Sequence, residues 1–163
     1  MPQVNNRIIL ITGGASGLGK EMAFQLGNAG GTIILWDINS NGLAQAAEEF
    51  SGHDINIYTA VCDVSSADMV KREAAKLLEQ HGQMDILINN AGVVSGKPFW
   101  ETPDDLLRNN VAVNLEALFW VTKAFLPEMI RRNQGHIVTI SSAAGLIGTP
   151  MLTDYSATKS AAF

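Results

Sequence analysis

The sequence has almost no cysteine: Cys62 is the single one among 163 residues, so no intramolecular disulfide can form and the thiol is interpreted as a small buried apolar group. Charged residues make up only 17%, and the net charge of −5 argues against nucleic acid or an anionic membrane surface as a partner. Long apolar runs are missing too, since runs such as residues 8–11 fall far short of the roughly 18 residues that suggest a membrane span. A chain with 47% hydrophobic residues is nonetheless expected to fold, and we expect it in a reducing, cytoplasmic compartment.

Short apolar stretches rich in β-branched residues alternate with segments of helical periodicity along the chain. The first stretch, residues 7–12, has four consecutive apolar residues at its centre and stops at Gly13, which is typical of a strand buried on both faces. Strands that alternate with helices favour a parallel sheet with right-handed crossovers and helices on both faces. The sequence therefore predicts a doubly wound α/β fold. The predicted strands are 7–12, 32–36, 56–62, 84–89 and 136–141, and the predicted helices between them include 18–29, 41–50 and 67–81.

A longer helical pattern follows the fourth predicted strand. Thr102 is a suitable cap, Pro103 suits the first helical position, and the two aspartates that follow complement the positive end of the helix dipole. The pattern continues to Arg132, but Pro127 removes one backbone hydrogen bond, so we expect a kink or a break there. Because no linker, repeat or charge block divides the sequence, residues 1–163 are interpreted as a single domain.

The segment between the first predicted strand and the first predicted helix reads Thr-Gly-Gly-Ala-Ser-Gly-Leu-Gly over residues 12–19. Glycines let the backbone turn sharply and approach a ligand, while free N–H groups at the start of a helix favour a pyrophosphate. This position, directly between a strand and a helix, is the one that a dinucleotide-binding turn requires. The alternative is an ordinary strand-to-helix turn, although this many glycines would destabilise a turn that serves no ligand. The predicted cofactor contacts here are Gly13, Ser16, Gly17, Leu18 and Gly19.

Acidic residues follow the second and third predicted strands. Asp37 lies about 18 residues beyond the last glycine of the turn, close to the spacing at which a carboxylate binds the hydroxyls of the adenosine ribose. A carboxylate there repels a 2′-phosphate, and no basic side chain stands beside it, so NAD is favoured over NADP. The alternative for Asp37 is a solvated turn residue. Asp63, followed by Val64, either contacts the adenine amino group or serves as a local cap or turn residue.

Residues 89–92, Asn-Asn-Ala-Gly, end the fourth predicted strand. Because ligands of open α/β sheets bind at the carboxyl ends of strands, we expect Asn90, Ala91 and Gly92 to contact the cofactor. In the alternative interpretation, the amides of Asn89 and Asn90 bridge loop backbones without touching a ligand. No metal site is predicted, because the three histidines lack ligand-like spacing and are interpreted as surface or structural residues: His53, His81 and His136.

Taken together, these motifs resemble the short-chain dehydrogenase/reductase family, in its classical type. The matching motifs, in order, are residues 12–19, residues 89–92, Asn114, Ser142, and the Tyr-Ser-Ala-Thr-Lys sequence from Tyr155 to Lys159. Each is weak alone, but their joint occurrence in this order is highly specific and covers essentially the whole chain. Residues 125–130 and 135–142 are most similar to the retinol and hydroxysteroid dehydrogenase branch. The resemblance implies a Rossmann fold with strand order 3-2-1-4-5.

The resemblance also implies a chemistry. Tyr155 would exchange a proton with an alcohol or carbonyl oxygen while a hydride passes to or from the nicotinamide. Four residues apart on a helix, Tyr155 and Lys159 share one face, and the ammonium favours the ionised phenol. Lys159 would also hold the nicotinamide ribose, and the resemblance implies that both Tyr155 and Lys159 contact the cofactor. Ser142 would hydrogen-bond the substrate oxygen, with Ser141 as the adjacent alternative. Asn114 would anchor a proton-relaying water, or it is a helix-interior asparagine that faces solvent.

The expected activity is therefore NAD(H)-dependent interconversion of a secondary or allylic alcohol, such as a retinoid or steroid, with its carbonyl. The sequence stops four residues after Lys159, so the resemblance implies that the C-terminal strands of the family and much of its substrate pocket are missing. Residues 136–141 would then form an exposed apolar sheet edge. The alternative is a truncated, non-catalytic dinucleotide-binding or interaction module. For the full-length protein, a homo-oligomer is expected.

Overall fold

Five short strands pair into one sheet in the computed structural model, which describes residues 4–163. Each strand coincides with a predicted one to within two residues at either end. The three inner strands are mostly apolar and buried, as strands covered on both faces are, whereas the two edge strands β3 and β5 include polar and exposed residues. The strands are β1 (Ile8–Thr12), β2 (Thr32–Asp37), β3 (Ile57–Val61), β4 (Ile86–Asn89) and β5 (His136–Thr139).

Within the described part of the chain, six α-helices connect or follow the strands. The first three agree with the predicted helices to within a residue, because their apolar residues recur at helical spacing and polar residues cap α2 and α3. Their bounds are α1 (Gly17–Asn28), α2 (Ser40–Ser51), α3 (Ala67–His81), α4 (Asp104–Val111), α5 (Ala117–Arg132) and α6 (Thr153–Ala161).

The strand order is β3-β2-β1-β4-β5, and all four pairings are parallel, which confirms the predicted doubly wound topology. The central strand β1 pairs on one side with β2, where Ile9 lies opposite Ile33, and on the other with β4, where it lies opposite Ile86. The carboxyl ends of β1, β2 and β4 therefore lie next to one another at one edge of the sheet, where open α/β folds bind ligands.

Two apolar cores cover the faces of the sheet. On one face, Leu10 and Trp36 pack with residues of α3 and α5, and the Trp36 ring lies 5.8 Å from the ring of Phe125 between centroids. On the other face, Ile9 and Ile11 pack with residues of α1 and α2. Alternate residues of β1 thus point to opposite cores, so the strand is buried on both sides as its composition predicted.

The long helical pattern differs from the prediction in three respects. Thr102 caps no helix, because its hydroxyl donates to the carbonyl oxygen of Pro98, and Pro103 occupies the cap position rather than the first helical position of α4. The regular helix is interrupted at a π-helical segment, Ala112–Glu116, and not at Pro127.

The helix continues through Pro127 because that residue is exposed, so water can satisfy the carbonyl group that proline leaves without a partner. The π-helical segment has a tertiary cause instead. It contains Asn114, whose side chain bonds to main-chain atoms outside the helix, and π-helical turns are frequent where a side chain is placed for such a contact.

Candidate active site

A cavity of about 440 Å³ lies at the carboxyl edge of the sheet, beside the turn between β1 and α1. It collects residues that the sequence places on five separate segments, which supports the interpretation of these motifs as one site. Of the predicted cofactor contacts, all but Gly17, Tyr155 and Lys159 line it. The predicted residues on its wall are Gly13, Ser16, Leu18, Gly19, Asp37, Asp63, Val64, Asn90, Ala91 and Gly92.

Further residues on this wall were not predicted. Ile38 and Val93 directly follow predicted positions, so extending each motif by one residue would have found them. Asn109 and Val113 precede Asn114 and lie four residues apart. That spacing places both side chains on one face of the helix and could have indicated that they line the same wall. Trp36 and Cys62 complete the set from the ends of two strands.

The glycine-rich turn comes into close contact with the segment after β4. Gly13 has a φ of +65° and donates its N–H to the carbonyl oxygen of Trp36 at 2.7 Å, and a Cβ at Gly13 would lie 2.8 Å from the Cα of Ala91. A side chain therefore fits neither the backbone conformation nor the space. Beyond it, Ser16 precedes α1 and makes no side-chain cap, which leaves the first N–H groups of the helix facing the cavity and suited to a phosphate.

Asp37 links the end of β2 to the glycine-rich turn. Its Oδ2 accepts the N–H of Ala15 at 3.0 Å, and its Oδ1 accepts the N–H of Asn39 at 2.9 Å. The carboxylate is thus both a turn residue, as in the alternative interpretation, and part of the cavity wall. Each oxygen still has a lone pair for a second hydrogen bond, so these contacts leave Asp37 able to accept ribose hydroxyl groups.

Asp63 makes the local contacts that the turn interpretation predicts, and it also lines the cavity. Its Oδ1 accepts the N–H of Ser65 at 2.9 Å and the Ser65 hydroxyl at 2.6 Å. The neighbouring Cys62 is 1% exposed, and burial, together with the negative charges of Glu73 and Asp63, raises the pKa of its thiol to about 12. The thiol is therefore protonated at neutral pH and acts as an apolar part of the wall.

Asn90 holds the glycine-rich turn through its side chain. Its Nδ2 donates to the carbonyl oxygens of Thr12 at 2.9 Å and Gly13 at 3.1 Å, and its own N–H bonds to the Thr12 hydroxyl at 3.0 Å. Asn89 donates instead to the hydroxyl of Thr122 on α5, at 3.2 Å. The Asn90 amide therefore bonds to a loop backbone, as the alternative interpretation predicts, and Asn90 also lines the cavity, whereas the Asn89 amide bonds to a helix side chain.

Asn114 is 1% exposed and does not face solvent, which excludes one of the two interpretations of this residue. Its Oδ1 accepts the N–H of Val93 at 2.8 Å, and its Nδ2 donates to the carbonyl oxygen of Val93 at 2.9 Å and to the hydroxyl of Thr158 at 3.1 Å. One side chain thus ties the segment after β4 to α6. This α6 helix carries both Tyr155 and Lys159.

A second cavity, of about 470 Å³, adjoins the first and shares part of its wall. The shared residues are Leu18, Asn90, Gly92 and Val93, and the remaining ones are Val94, Ile140, Ser141, Leu152, Tyr155 and Lys159. Tyr155 is half-buried, and Lys159 is 5% exposed, with its Nζ 5.8 Å from the centroid of the Tyr155 ring. The Lys159 ammonium donates to the carbonyl oxygen of Ile140 at 2.7 Å, and burial lowers its pKa.

The two serines after β5 occupy different environments. Ser141 lines the second cavity, and its hydroxyl donates to the main-chain oxygen of Lys159 at 2.7 Å. Ser142 precedes a 3₁₀ turn, Ala143–Gly145, and its Oγ accepts the N–H of Ala144 at 3.2 Å. Ser142 is not on either cavity wall, so of the two serines it is Ser141 that lies beside Tyr155 in this structure.

Within residues 4–163, no three side chains among histidine, cysteine, aspartate and glutamate are grouped so as to hold a metal ion. Two of the histidines pack edge-on against aromatic rings, His53 against Phe24 and His81 against Tyr58, and His136 begins β5. Among residues 4–163, no helix is both long enough and apolar enough to cross a bilayer.

Known proteins with related sequences were compared with this chain. The profile of the short chain dehydrogenase family matches residues 7–163. Epidermal retinol dehydrogenase 2 of Mus musculus is 45% identical over 162 residues, which cover 98% of this chain and 52% of that protein. Estradiol 17-beta-dehydrogenase 11 of Homo sapiens is 40% identical over 159 residues, which cover 98% of this chain and 53% of that protein. The chain spans about half the length of these relatives.

Solved structures agree with the sequence comparison. A short chain dehydrogenase/reductase from Burkholderia phymatum in complex with NAD superposes with a TM-score of 0.94 at 30% identity, covering 99% of this chain and 58% of that one. A metagenomic short-chain oxidoreductase in complex with NADP superposes with a TM-score of 0.90 at 31% identity, covering 96% and 72%. The relatives named above confirm the predicted likeness to the retinol and hydroxysteroid branch. On fold, motifs and sequence alike, the chain belongs to the short-chain dehydrogenase family.

Proposed function

We propose that this chain forms the nucleotide-binding part of an NAD(H)-dependent oxidoreductase that interconverts a secondary or allylic alcohol with its carbonyl. The observation that carries the proposal is the junction of the two cavities. The glycine-rich turn and Asp37 line one of them, and Tyr155 and Lys159 line the other, while Gly92 is common to both. A dinucleotide laid along the carboxyl edge would reach from the first cavity into the second.

The residues present fit such a cofactor. The close approach of Gly13 to Ala91 leaves a surface without a side chain, and the start of α1 offers unpaired N–H groups for the pyrophosphate. Asp37 would accept the hydroxyls of the adenosine ribose, and its charge would repel the 2′-phosphate of NADP. Related structures hold either NADP or NAD, so the preference for NAD rests on Asp37 alone.

When bound, the nicotinamide supplies the acceptor or donor of a hydride. In the oxidation direction, Tyr155 would take the proton of the substrate hydroxyl; in reduction, it would donate that proton to the carbonyl oxygen. The Lys159 ammonium, held by the Ile140 carbonyl, would favour the ionised phenol and bind the nicotinamide ribose. A serine hydroxyl, of Ser142 or its neighbour Ser141, would hydrogen-bond the substrate oxygen.

A lipid-like substrate is supported by two observations. The second cavity has apolar residues on both of its walls, namely Val94 on the segment after β4 and Leu152 ahead of α6. Relatives that are 40% to 45% identical carry the names retinol dehydrogenase and estradiol dehydrogenase. Both names refer to apolar alcohols, and an apolar substrate fits a cavity whose walls carry apolar side chains.

Cofactor binding is tested by fluorescence. Trp36 lines the first cavity beside Asp37, so its emission should change as NADH is added, and NADH should bind about tenfold more tightly than NADPH. The substitution Asp37→Ala should weaken NADH binding and reduce the preference for NADH over NADPH. Asp68→Ala, which replaces an exposed aspartate on α3, should change neither quantity. An absence of NADH binding at millimolar concentration would overturn the proposal.

Turnover is tested separately, by following NADH absorbance with a panel of apolar secondary and allylic alcohols. Tyr155→Phe should abolish oxidation in a chain that still binds NADH, because the phenyl ring keeps the shape but loses the exchangeable proton. Tyr58→Phe, in β3 and away from both cavities, is the matched control. NADH binding with no Tyr155-dependent turnover would support the second candidate, a non-catalytic dinucleotide-binding module.

A further inference from the structure

The helix that carries Tyr155 and Lys159 has no side-chain cap at its start. The cap residue of α6, Leu152, makes no side-chain hydrogen bond to the helix. A missing cap removes one source of stability from the first helical turn. The position of α6 therefore depends on contacts with other parts of the chain.

Asp154, in the first turn of α6, makes two such contacts. Its Oδ1 accepts the hydroxyl hydrogen of Ser95 at 2.8 Å, and its Oδ2 accepts a hydrogen bond from the Nδ2 of Asn110. Asn110 lies on α4 and is completely buried, while Ser95 lies in the segment after β4. No lysine or arginine among residues 4–163 forms an ion pair with Asp154, so neutral donors and the positive end of the α6 dipole stabilise the carboxylate.

The bond between Asp154 and Ser95 joins two segments that line the second cavity. Val94, next to Ser95, lines the wall formed by the segment after β4, and Tyr155, next to Asp154, lines the wall formed by α6. Asn114 makes a second connection between the same two segments, one helical turn further along, through Thr158. The two walls are therefore tied together at two successive turns of α6.

Helical spacing relates the tied residues to the functional ones. Asp154 and Thr158 are four residues apart and share one face of α6, while Tyr155 and Lys159 are also four apart and share the adjacent face. Fixing the first face against the segment after β4 sets the rotation of the helix about its axis. That rotation determines where the phenol and the ammonium lie in the cavity.

We propose that Asp154 is a positioning residue, which orients Tyr155 toward the nicotinamide end of the cofactor by anchoring the first turn of α6 to Ser95 and Asn110. This inference rests on the proposed function, because it assumes that Tyr155 and Lys159 meet the nicotinamide half of NADH. The adenosine half lies in the first cavity, whose wall includes neither Asp154 nor Tyr155. Loss of the hydrogen bonds of Asp154 should therefore weaken the contacts to the nicotinamide half of the cofactor and leave the contacts to the adenosine half unchanged.

The experiment compares NADH with ADP as ligands of the 163-residue chain. Asp154→Ala should weaken NADH binding about tenfold, the effect of losing hydrogen bonds to one charged group, while ADP affinity stays within about twofold. Asp105→Ala is the matched control, since Asp105 is also an aspartate in the first turn of a helix but its side chain is fully exposed. Ser95→Ala removes one of the two bonds and should give a smaller loss of the same kind, which covers the case that Asp154→Ala does not fold.

A second measurement does not depend on cofactor binding. The sequence has two tyrosines, Tyr58 and Tyr155, so in a Tyr58→Phe background tetranitromethane reports on Tyr155 alone. Asp154→Ala should raise the nitration rate of the half-buried Tyr155 about threefold or more, and Asp105→Ala should not change it.

The outcomes separate the two hypotheses. If Asp154→Ala weakens the binding of NADH and of ADP equally, Asp154 has a purely structural role and the inference is overturned. The inference is also overturned if the nitration rate and the NADH affinity of Asp154→Ala both match those of Asp105→Ala. If the unaltered chain binds neither NADH nor ADP, the proposed function fails, and the nitration rates alone then decide whether Asp154 positions Tyr155.

Discussion

The side-chain amide of Asn90 donates to the carbonyl oxygen of Gly13 at 3.1 Å, so a residue at the end of β4 holds the turn that follows β1. A second bond from the same amide reaches Thr12 at 2.9 Å. Both carbonyl groups belong to the segment that lines the first cavity between β1 and α1. Asn90 is therefore a structural part of the site, whether or not it also touches the cofactor.

Asn90→Ala should lower the free energy of unfolding by about 1–3 kcal/mol, because two part-buried carbonyl groups lose their donor. It should also weaken NADH binding, since the turn would no longer be held in one conformation. Urea unfolding and fluorescence titration measure the two effects. Asn41→Ala, an exposed asparagine on α2, is the control, and an equally small change in both variants would contradict the role assigned to Asn90.

The protein should react slowly with thiol reagents. Cys62 is 1% exposed, and burial raises the pKa of its thiol to about 12. At pH 8 the reagent therefore cannot reach the sulfur, and the thiol is not ionised to the reactive thiolate. With 5,5′-dithiobis(2-nitrobenzoate), the native chain should react about a hundredfold more slowly than the urea-unfolded chain. Comparable rates in the two states would show that the wall of the first cavity is open at this residue.

Lys159 should contribute a rise of folding stability with pH at the alkaline end of the range. Burial lowers the pKa of its ammonium in the folded state, so between that value and about 10.4 Lys159 binds its proton more fully in the unfolded chain than in the folded one. Its contribution to folding stability therefore increases with pH across this window, whereas Cys62, whose pKa is raised on folding, contributes a change of the opposite sign once the unfolded thiol ionises. Lys159→Met should remove this part of the pH dependence, as seen in urea unfolding between pH 7 and 10.5.

Lys123→Met on α5 is the control for that measurement, because Lys123 is exposed. If Lys123→Met changes the slope of stability against pH as much as Lys159→Met does, the slope does not come from the burial of Lys159.

Asp85 should be the costliest aspartate to replace. It is 5% exposed, and its carboxylate accepts the N–H of Ile8 at 2.9 Å and pairs with Arg132 at 3.2 Å. Without the carboxylate, the part-buried N–H of Ile8 loses its partner and Arg132 keeps, among the described residues, only Glu128 as a close acidic partner, so Asp85→Ala should cost about 1–3 kcal/mol. Thermal or urea unfolding measures the loss. Asp68→Ala is the matched control, since its side chain is 96% exposed, and similar losses in both variants would contradict the assignment.

The architecture could be predicted from the sequence because its signals are local. β1 is a continuous apolar run, and α3 has a serine cap, helical periodicity and a glycine after its last residue, so its predicted bounds are those observed. The predicted residues on the wall of the first cavity have a related reason, since most of them lie at or just after the end of a strand and parallel strands end at one edge. Asn114, Tyr155 and Lys159 lie within helical segments, and their prediction came from the resemblance to the family.

What the sequence did not predict depends on contacts between distant residues. The π-helical segment at Ala112–Glu116 accompanies the bonds between Asn114 and Val93, and no periodicity reveals such a pairing. Pro127 broke no helix because its turn faces water, which is a property of the packed molecule. The environments of Ser141 and Ser142 likewise became distinct only when α6 was in place.

The central position of β1 has a consequence for synthesis. Its partner on one side, β2, follows within a few tens of residues, but on the other side the bond between Ile8 and Asp85 joins positions 77 residues apart. On a ribosome, β1, β2 and β3 can pair early, while one edge of β1 stays open until β4 has emerged. A nascent chain that is paused before β4 would therefore expose unpaired N–H and C=O groups of its most apolar strand, and this interval is where we expect a chaperone to be needed.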